Sequence, residues 1–437
     1  MNGWNVIDTA SNYRWGRAET SIGAALASLL AGTVTGDFLQ ESEYSQDITR
    51  SMLFISTKAG FTDESLVRKL VQARKLGPSD VSGGHTLDPE YIIASVEASL
   101  ERLNLKTVRI LGMYGLCRAR PILQIPSKLK SARVAPAPLT PLPPSPSDNT
   151  SFLSHSLSLS LSLTHTHTTS CCLSAWLGGD YTNYHLACLL FSTAAVQYQY
   201  WVSRLIATNP QVDLLYLHNP AEMQLKRLGW PAFRDKLKKA FIALESLREA
   251  GSIRSYGLAT WDCFRVPPTD PGHVSLEEVV ALAKEISKNK ISGFSAVQLP
   301  VSATMPEAWL QPWQKVRGET VSLMRAAELL GVAVFTSGPL GEGELLKQMT
   351  SRLDPVVQLR AETTTAQKLL QLARSTPGGA MTSALVGHKT REFVESNTQL
   401  TLHEPLTEAD FRQAMQQVKA ILDRATPDTA DSGNASQ

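Results

Sequence analysis

The sequence predicts an α/β barrel of parallel strands wrapped by helices, and three observations carry that reading. Short apolar runs alternate with helical patterns along most of the chain, as in a parallel sheet with helical crossovers. Three of these runs end in a polar residue: Val6-Ile7-Asp8 in an acid, Phe54-Ile55-Ser56-Thr57-Lys58 in a lysine, Leu214-Leu215-Tyr216-Leu217-His218 in a histidine. In a barrel of parallel strands, that end is the rim where functional residues collect. No Gly-x-Gly-x-x-Gly follows any strand, so the phosphate cradle of the open doubly wound sheet is absent and the barrel is favoured.

The expected strands are Asn5 to Thr9, Leu53 to Thr57, Val212 to Leu217, Arg254 to Thr260, Gly293 to Leu299, Val332 to Thr336 and Ser383 to Val386. Each is a short apolar run of the kind a strand buried on both faces shows. The expected helices are Tyr91 to Leu103, Phe233 to Ala250, Leu276 to Ile286, Glu319 to Leu330 and Thr364 to Ala373. These repeat apolar residues at three- and four-residue spacing. The barrel then divides into residues 1–107 and 212–425, with a disordered tail at 426–437.

Composition narrows the function classes. The 437 residues carry a net charge of +2 and 43% hydrophobic residues, which suits a globular protein and speaks against nucleic acid or an anionic membrane as a partner. No apolar run reaches the roughly 18 residues of a spanning helix. Cys117, Cys171, Cys172, Cys188 and Cys263 form no Cys-x-x-Cys pair, so a reduced, metal-free protein is expected. Cytoplasmic placement is the default, although a targeting peptide upstream of Met1 would escape this reading. The oligomeric state cannot be read.

The chemistry-bearing residues are Asp8, Tyr13, Lys58 and His218. In this order they resemble the catalytic residues of the aldo-keto reductases, and the resemblance implies reduction of a carbonyl, which takes a hydride and a proton. A phenol can supply the proton, but its free pKa is about 10. A neighbouring ammonium favours the phenolate; Lys58 is the candidate ammonium, with Asp8 to pair and fix it. His218 would hydrogen-bond the substrate oxygen. Taken singly, each has a plainer role. Asp8-Thr9-Ala10 reads as a helix cap, Lys58 as a solvated loop residue, and His218 before Asn219-Pro220 as structural.

Together the four residues resemble the catalytic tetrad of the aldo-keto reductases. The resemblance extends further. Leu244 to Arg254 looks like the helix and turn before that family's fifth strand. Gln298 matches its strand-six glutamine, which holds the nicotinamide carboxamide. Ser337-Gly338-Pro339-Leu340-Gly341 is similar to its pyrophosphate loop. Gly387, Lys389, Thr390, Arg391 and Asn397 look like its adenosine-phosphate loop and helix start. The resemblance implies a TIM (β/α)8 barrel, a small-molecule aldehyde, ketone or alcohol substrate, and NADP(H) or NAD(H) as cofactor. Three positions depart: Ala259-Thr260 replaces the usual Ser-Asn, Ser337 stands where many members stack a tyrosine, and Ser396 replaces an acid or amide. Two other readings follow from these departures and from the chain's irregularities: an NADP(H)-binding regulatory module with little turnover, or an inactive product of a faulty gene model.

Two irregularities stand out. Residues 108–211 hold a proline-rich stretch, then Ser-Leu and Thr-His dipeptide repeats at 156–168. Such repeats are compositional and are expected to be disordered. Repeated TC encodes Ser-Leu and repeated AC encodes Thr-His. Val108-Arg109 can be encoded by GTAAGG and Gln211 by CAG, the two ends of an intron. Removing the segment joins Leu105-Lys106-Thr107 to Val212-Asp213-Leu214-Leu215, the family's usual connection. A retained intron is the expectation, and sequencing of transcripts across the Thr107 and Val212 codons checks it. The rival is a regulatory insertion with His165, His167, Cys171 and Cys172 as metal ligands. The second irregularity is that only seven strands are read where the barrel needs eight, so the family's first strand and helix are expected to be missing, with Met1 either an internal start or the start of a fragment. Substrate walls are expected from the extended segment Thr62 to Leu87 and from Thr304 to Arg317. There Trp309 and Trp313 either line the pocket or cover the rim as packing.

Overall fold

Seven parallel strands form one sheet in the order β1 (Val6–Asp8), β2 (Phe54–Ala59), β3 (Val212–His218), β4 (Ile253–Ala259), β5 (Phe294–Pro300), β8 (Ala333–Ser337) and β9 (Met381–Ala384). The structure is a computed structural model that describes residues 5–31, 48–105, 211–288, 291–349, 353, 356–357 and 363–425. The repetitive segment and the C-terminal tail singled out above lie outside the described residues, Gln211 excepted. All the described residues fall within one compact unit.

The sheet is nearly closed and barrel-like, matching a TIM barrel. Three strands separate β1 from β5 in the sheet order. A flat sheet would hold them about 19 Å apart at ~4.8 Å per strand. Yet Gln298 Nε2 on β5 lies 3.1 Å from Asp8 Oδ1 on β1. Likewise the rings of Phe54 on β2 and Phe335 on β8 stack at 5.6 Å. Only a strongly curled sheet brings these pairs together. Among the described residues its outer strands are β1 and β9, which do not pair with each other.

Side-chain alternation along the strands sets two cores. Ile7, Ile55, Leu215, Leu217, Val297 and Leu299 face the helices in the larger core. Val6, Phe54, Leu214, Tyr216, Ala296 and Phe335 share the inner cluster. The inner phase continues to Asp8, Lys58, His218 and Gln298, so the inner rows of these four strands end in a polar group, whereas that of β4 ends in Ala259. This is how the sequence delivers four polar side chains to one end of the sheet.

The helices form where caps and apolar faces coincide. Asp88 accepts from Glu90 N and Tyr91 N ahead of the helix Pro89–Arg102, which has proline in its first turn. Ser275 caps the helix Leu276–Ile286, and Thr364 with Gln367 forms a capping box for Thr365–Arg374. The helix Arg17–Leu30 crosses Pro89–Arg102 at Gly23, where a Cβ would sit 2.1 Å from Arg102 O.

All seven expected strands form, with ends shifted by up to two residues. The expected helix Glu319 to Leu330 is corrected: the helix is Leu323–Leu330, and Glu319–Val321 is a strand (β7) paired antiparallel with β6 (Gln314–Val316) in a separate two-stranded sheet. Gly318 (φ 90°) and Arg317 (φ 52°) turn the hairpin between them. The segment Thr62 to Leu87 is not extended throughout, because Asp63 caps a helix over Glu64–Gln72. Pro220–Leu228, Arg391–Thr398 and Glu408–Ala425 are further helices. Among the described residues no helix is long and apolar enough to cross a membrane, and no cluster of His, Cys, Asp or Glu could hold a metal ion. Cys263, the one cysteine among them, is buried and free.

Candidate active site

Lys58 ends the inner row of β2, and its side chain is fully buried. A buried ammonium without a partner costs several kcal/mol, so its contacts are what make it tolerable. Lys58 Nζ donates to Asp8 Oδ2 at 2.5 Å and to the Thr9 carbonyl at 2.8 Å. Asp8 is in turn held by Ser56 Oγ at 2.6 Å and by Gln298 Nε2 at 3.1 Å. The same ammonium lies 4.9 Å from the centroid of the Tyr13 ring. Tyr13 is 39% exposed, and its hydroxyl hydrogen-bonds none of the described residues.

His218 ends the inner row of β3. Its ring meets Tyr13 edge-on with centroids 6.0 Å apart, and meets Phe61 edge-on at 4.9 Å. Burial pushes its pKa down to about 3, with Lys58 and His85 adding to the effect. The imidazole is therefore neutral near pH 7, and neither ring nitrogen bonds the described residues. Asp8, Tyr13, Lys58 and His218 thus stand together at the C-terminal end of the sheet. The phenol and imidazole face outward over a buried ion pair.

A second tyrosine, Tyr216, lies one inner-row step below His218. Burial and then Asp8 hold its hydroxyl well above the usual phenol range. It is fully enclosed and without a hydrogen-bond partner, so it has no route to a ligand.

The residues assigned from sequence to a cofactor occupy two neighbouring loops, because β8 pairs with β9. Ser337 ends β8 beside Pro300 of β5. Then Gly338 (φ 60°), Gly341 (φ 54°), Glu342 (φ 56°) and Gly343 (φ 95°) turn left-handed. Leu340 lies between them, partly buried. The turn is held by its own backbone, with Gly341 N donating to Gly338 O and Gly343 N to Leu340 O, both at 3.0 Å. After β9, a Cβ on Gly387 would meet nothing within 4 Å. Lys389 and Thr390 are exposed; Thr390 caps the helix at Phe393 N. Arg391 Nε donates to Glu395, and Asn397 is buried. Open loops, left-handed glycines and a basic helix start fit a phosphate-bearing cofactor.

The departures can be placed as well. Thr260 turns its hydroxyl back to the Gln298 carbonyl at 3.2 Å, and Ala259 offers only its backbone, which accepts from Asn219 N at 2.6 Å. Trp309 packs edge-on against Phe411 at 5.1 Å with Arg412 over its face.

Sequence reasoning missed His85, Gln224 and Phe61, which lie directly behind His218. His85 is fully buried, and its Nε2 meets the His218 carbonyl at 2.8 Å across 133 positions. The local signal was Gly83-Gly84-His85, a histidine on a glycine turn, but nothing local tied it to β3.

The site is thus a buried lysine paired with a partly buried aspartate, under an exposed phenol, at the C-terminal rim of a nearly closed parallel sheet. The Aldo/keto reductase family model matches residues 1–129 of the chain, which include Asp8, Tyr13 and Lys58. Three solved structures illustrate the wider likeness. An aldo-keto reductase from Bacillus halodurans, in holo form, has 15% identity, covering 95% of this chain and 83% of its own, at a TM-score of 0.44. One from Brucella melitensis has 13% identity, 95% and 85% coverage, and a TM-score of 0.40. A putative 2,5-diketo-D-gluconic acid reductase B has 13% identity, 95% and 78% coverage, and a TM-score of 0.40. A comparison with curated proteins found no match. The family match supports oxidoreductase chemistry on carbonyl groups with a nicotinamide cofactor.

Proposed function

We propose that this chain reduces aldehydes or ketones to alcohols, or runs the reverse oxidation, with Tyr13 as proton donor and NADP(H) as the preferred cofactor. The observation that carries the reading is the buried Lys58–Asp8 pair, with its ammonium 4.9 Å from the centre of the exposed Tyr13 ring. A bound nicotinamide supplies the hydride in reduction and takes it in oxidation. The chain's own groups handle the rest. The Tyr13 hydroxyl gives its proton to the substrate oxygen and takes it back in the reverse direction. Lys58 offsets the negative charge left on the phenol. Asp8, held by Ser56 and Gln298, keeps the ammonium in place. Neutral His218 can donate a hydrogen bond to the same oxygen and so orient the carbonyl.

Ser337, Gly338, Leu340, Gly341 and Gly387 would hold the diphosphate through backbone and open space. Lys389 and Arg391, with Thr390 and Asn397, would hold the adenosine phosphate. Gln298 would reach the carboxamide only by sharing or giving up its bond to Asp8. The experiment is turnover of an aldehyde and ketone panel by the full chain with NADPH and with NADH. Reduction of at least one carbonyl is expected, faster with NADPH. Absence of any turnover, with NADPH bound, would favour the regulatory-module reading.

A further inference from the structure

The loop after β2 folds back behind the candidate site. Gly60 leaves the strand at φ 141°. Thr86 N donates to Gly60 O at 2.9 Å, Thr62 N to Gly84 O at 2.8 Å, and Phe61 bridges His85. This turn carries His85 underneath the end of β3. A Cβ at Gly60 would lie 2.6 Å from His85 Nε2 and 3.2 Å from the His218 carbonyl. The missing side chain is therefore the space in which the two histidines meet.

The hydrogen bonds define how His85 is used. A carbonyl only accepts, so His85 Nε2 carries the proton and donates to His218 O at 2.8 Å. Gln224, buried on the helix Pro220–Leu228, donates its Nε2 to His85 Nδ1 at 2.9 Å. Rotating that amide would aim Oε1 at Nδ1, a contact that needs an imidazolium, whereas burial pushes the His85 pKa down to about 4. The neutral ring is thus bonded on both sides. Phe61 stands edge-on to His85 at 5.3 Å and to His218 at 4.9 Å.

We infer that His85 is a positioning residue for His218: clamped by Gln224, it fixes the His218 carbonyl and, with Phe61, the direction in which the His218 ring leaves the sheet. This rests on the role given to His218 above. No described residue hydrogen-bonds the His218 side chain, so its direction depends on its backbone and on its edge-on ring contacts with Phe61 and Tyr13. Small displacements of a positioned group are costly, and an error of about 1 Å can cost about a hundredfold in rate.

The test compares His85→Phe, which keeps a ring and loses both nitrogens, with His85→Gln, which keeps a donor near the Nε2 position. Gln224→Met releases the clamp more gently, should His85→Phe not fold. The full chain is used throughout. Two readouts are taken: the split of kcat from the Kd of NADPH, and the imidazole NMR signals of His218, assigned by their loss in His218→Asn. His85→Phe should lower kcat about ten- to a hundredfold with NADPH affinity unchanged. It should also shift or broaden the His218 signals. Gln224→Met should do the same more weakly, and His85→Gln should restore most of both. Equal behaviour of His85→Phe and His85→Gln overturns the inference, as does a change in kcat without a change at His218, or the reverse. If the wild-type chain turns over no carbonyl, the proposed function fails on its own. The NMR comparison still decides whether His85 orders His218.

Discussion

Lys58 is the electrostatic centre of the site, and the residues around it have separable tasks. Asp8 and the Thr9 carbonyl neutralise and hold it, Tyr13 lies against it, and His218 completes the rim. Lys389 lies apart, exposed at the start of the helix Arg391–Thr398. If it meets the 2′-phosphate, which only NADPH carries, Lys389→Ala should weaken NADPH by about 1.5–3 kcal/mol, roughly tenfold or more, and leave NADH almost unchanged. Fluorescence titration with each cofactor measures this. Equal losses would place the ammonium elsewhere. At this scale the grouping of Asp8, Tyr13, Lys58 and His218 at one end of the sheet was legible. Asp8, Lys58 and His218 each close an apolar run, and Tyr13 follows Asp8 closely. What could not be read was the partnership of Gln298 with Asp8, 290 positions apart, or of His85 with His218. Both depend on how the sheet closes, which no local pattern encodes.

Elements are tied together by buried polar staples as well as by apolar faces. Glu19 on the helix Arg17–Leu30 is fully buried. It accepts from Thr57 Oγ1 of β2 at 2.5 Å and from Arg102 Nε of Pro89–Arg102 at 2.7 Å. Arg102→Leu would leave that carboxylate buried without its cation. A loss of about 3–5 kcal/mol is expected, read as a lower midpoint in urea unfolding. Glu19→Gln in the same chain should recover part of it, because the uncompensated charge is gone. A loss below about 1 kcal/mol would mean that water reaches Glu19 and that the staple is weak. Elements with long apolar periodicity, such as Leu276–Ile286, were readable residue by residue. The Gln314–Val321 hairpin was not. Its strands are too short for alternation to outweigh the helical pattern that follows, and its turn rests on Arg317 and Gly318. Trp309 stayed ambiguous because its partners, Phe411 and Arg412, come from a helix about a hundred residues on.

Across the whole molecule, burying two neutral histidines couples folding to pH. His85 is held to about 4 and His218 to about 3, chiefly by burial, against 6.5 for the free ring. The sign follows directly. Above pH 6.5 neither state binds the protons, and the stability is fully present. As pH falls below 6.5 the unfolded chain takes up protons that the folded chain refuses, so stability drops until about 4 for His85 and about 3 for His218. Each group contributes up to about 1.4 kcal/mol per pH unit in that window. Urea midpoints measured from pH 7 to pH 5 should fall, and His85→Gln should flatten the slope. An unchanged slope would show that the ring is accessible to water. The same neutrality makes His218 a hydrogen-bond donor rather than an acid, and leaves proton donation to Tyr13. That division of labour is the central claim. It is tested most directly by turnover of a carbonyl panel with NADPH, comparing the full chain with Tyr13→Phe. Loss of the hydroxyl should lower kcat about 100- to 10,000-fold with NADPH affinity nearly unchanged. Near-normal turnover by Tyr13→Phe would contradict it.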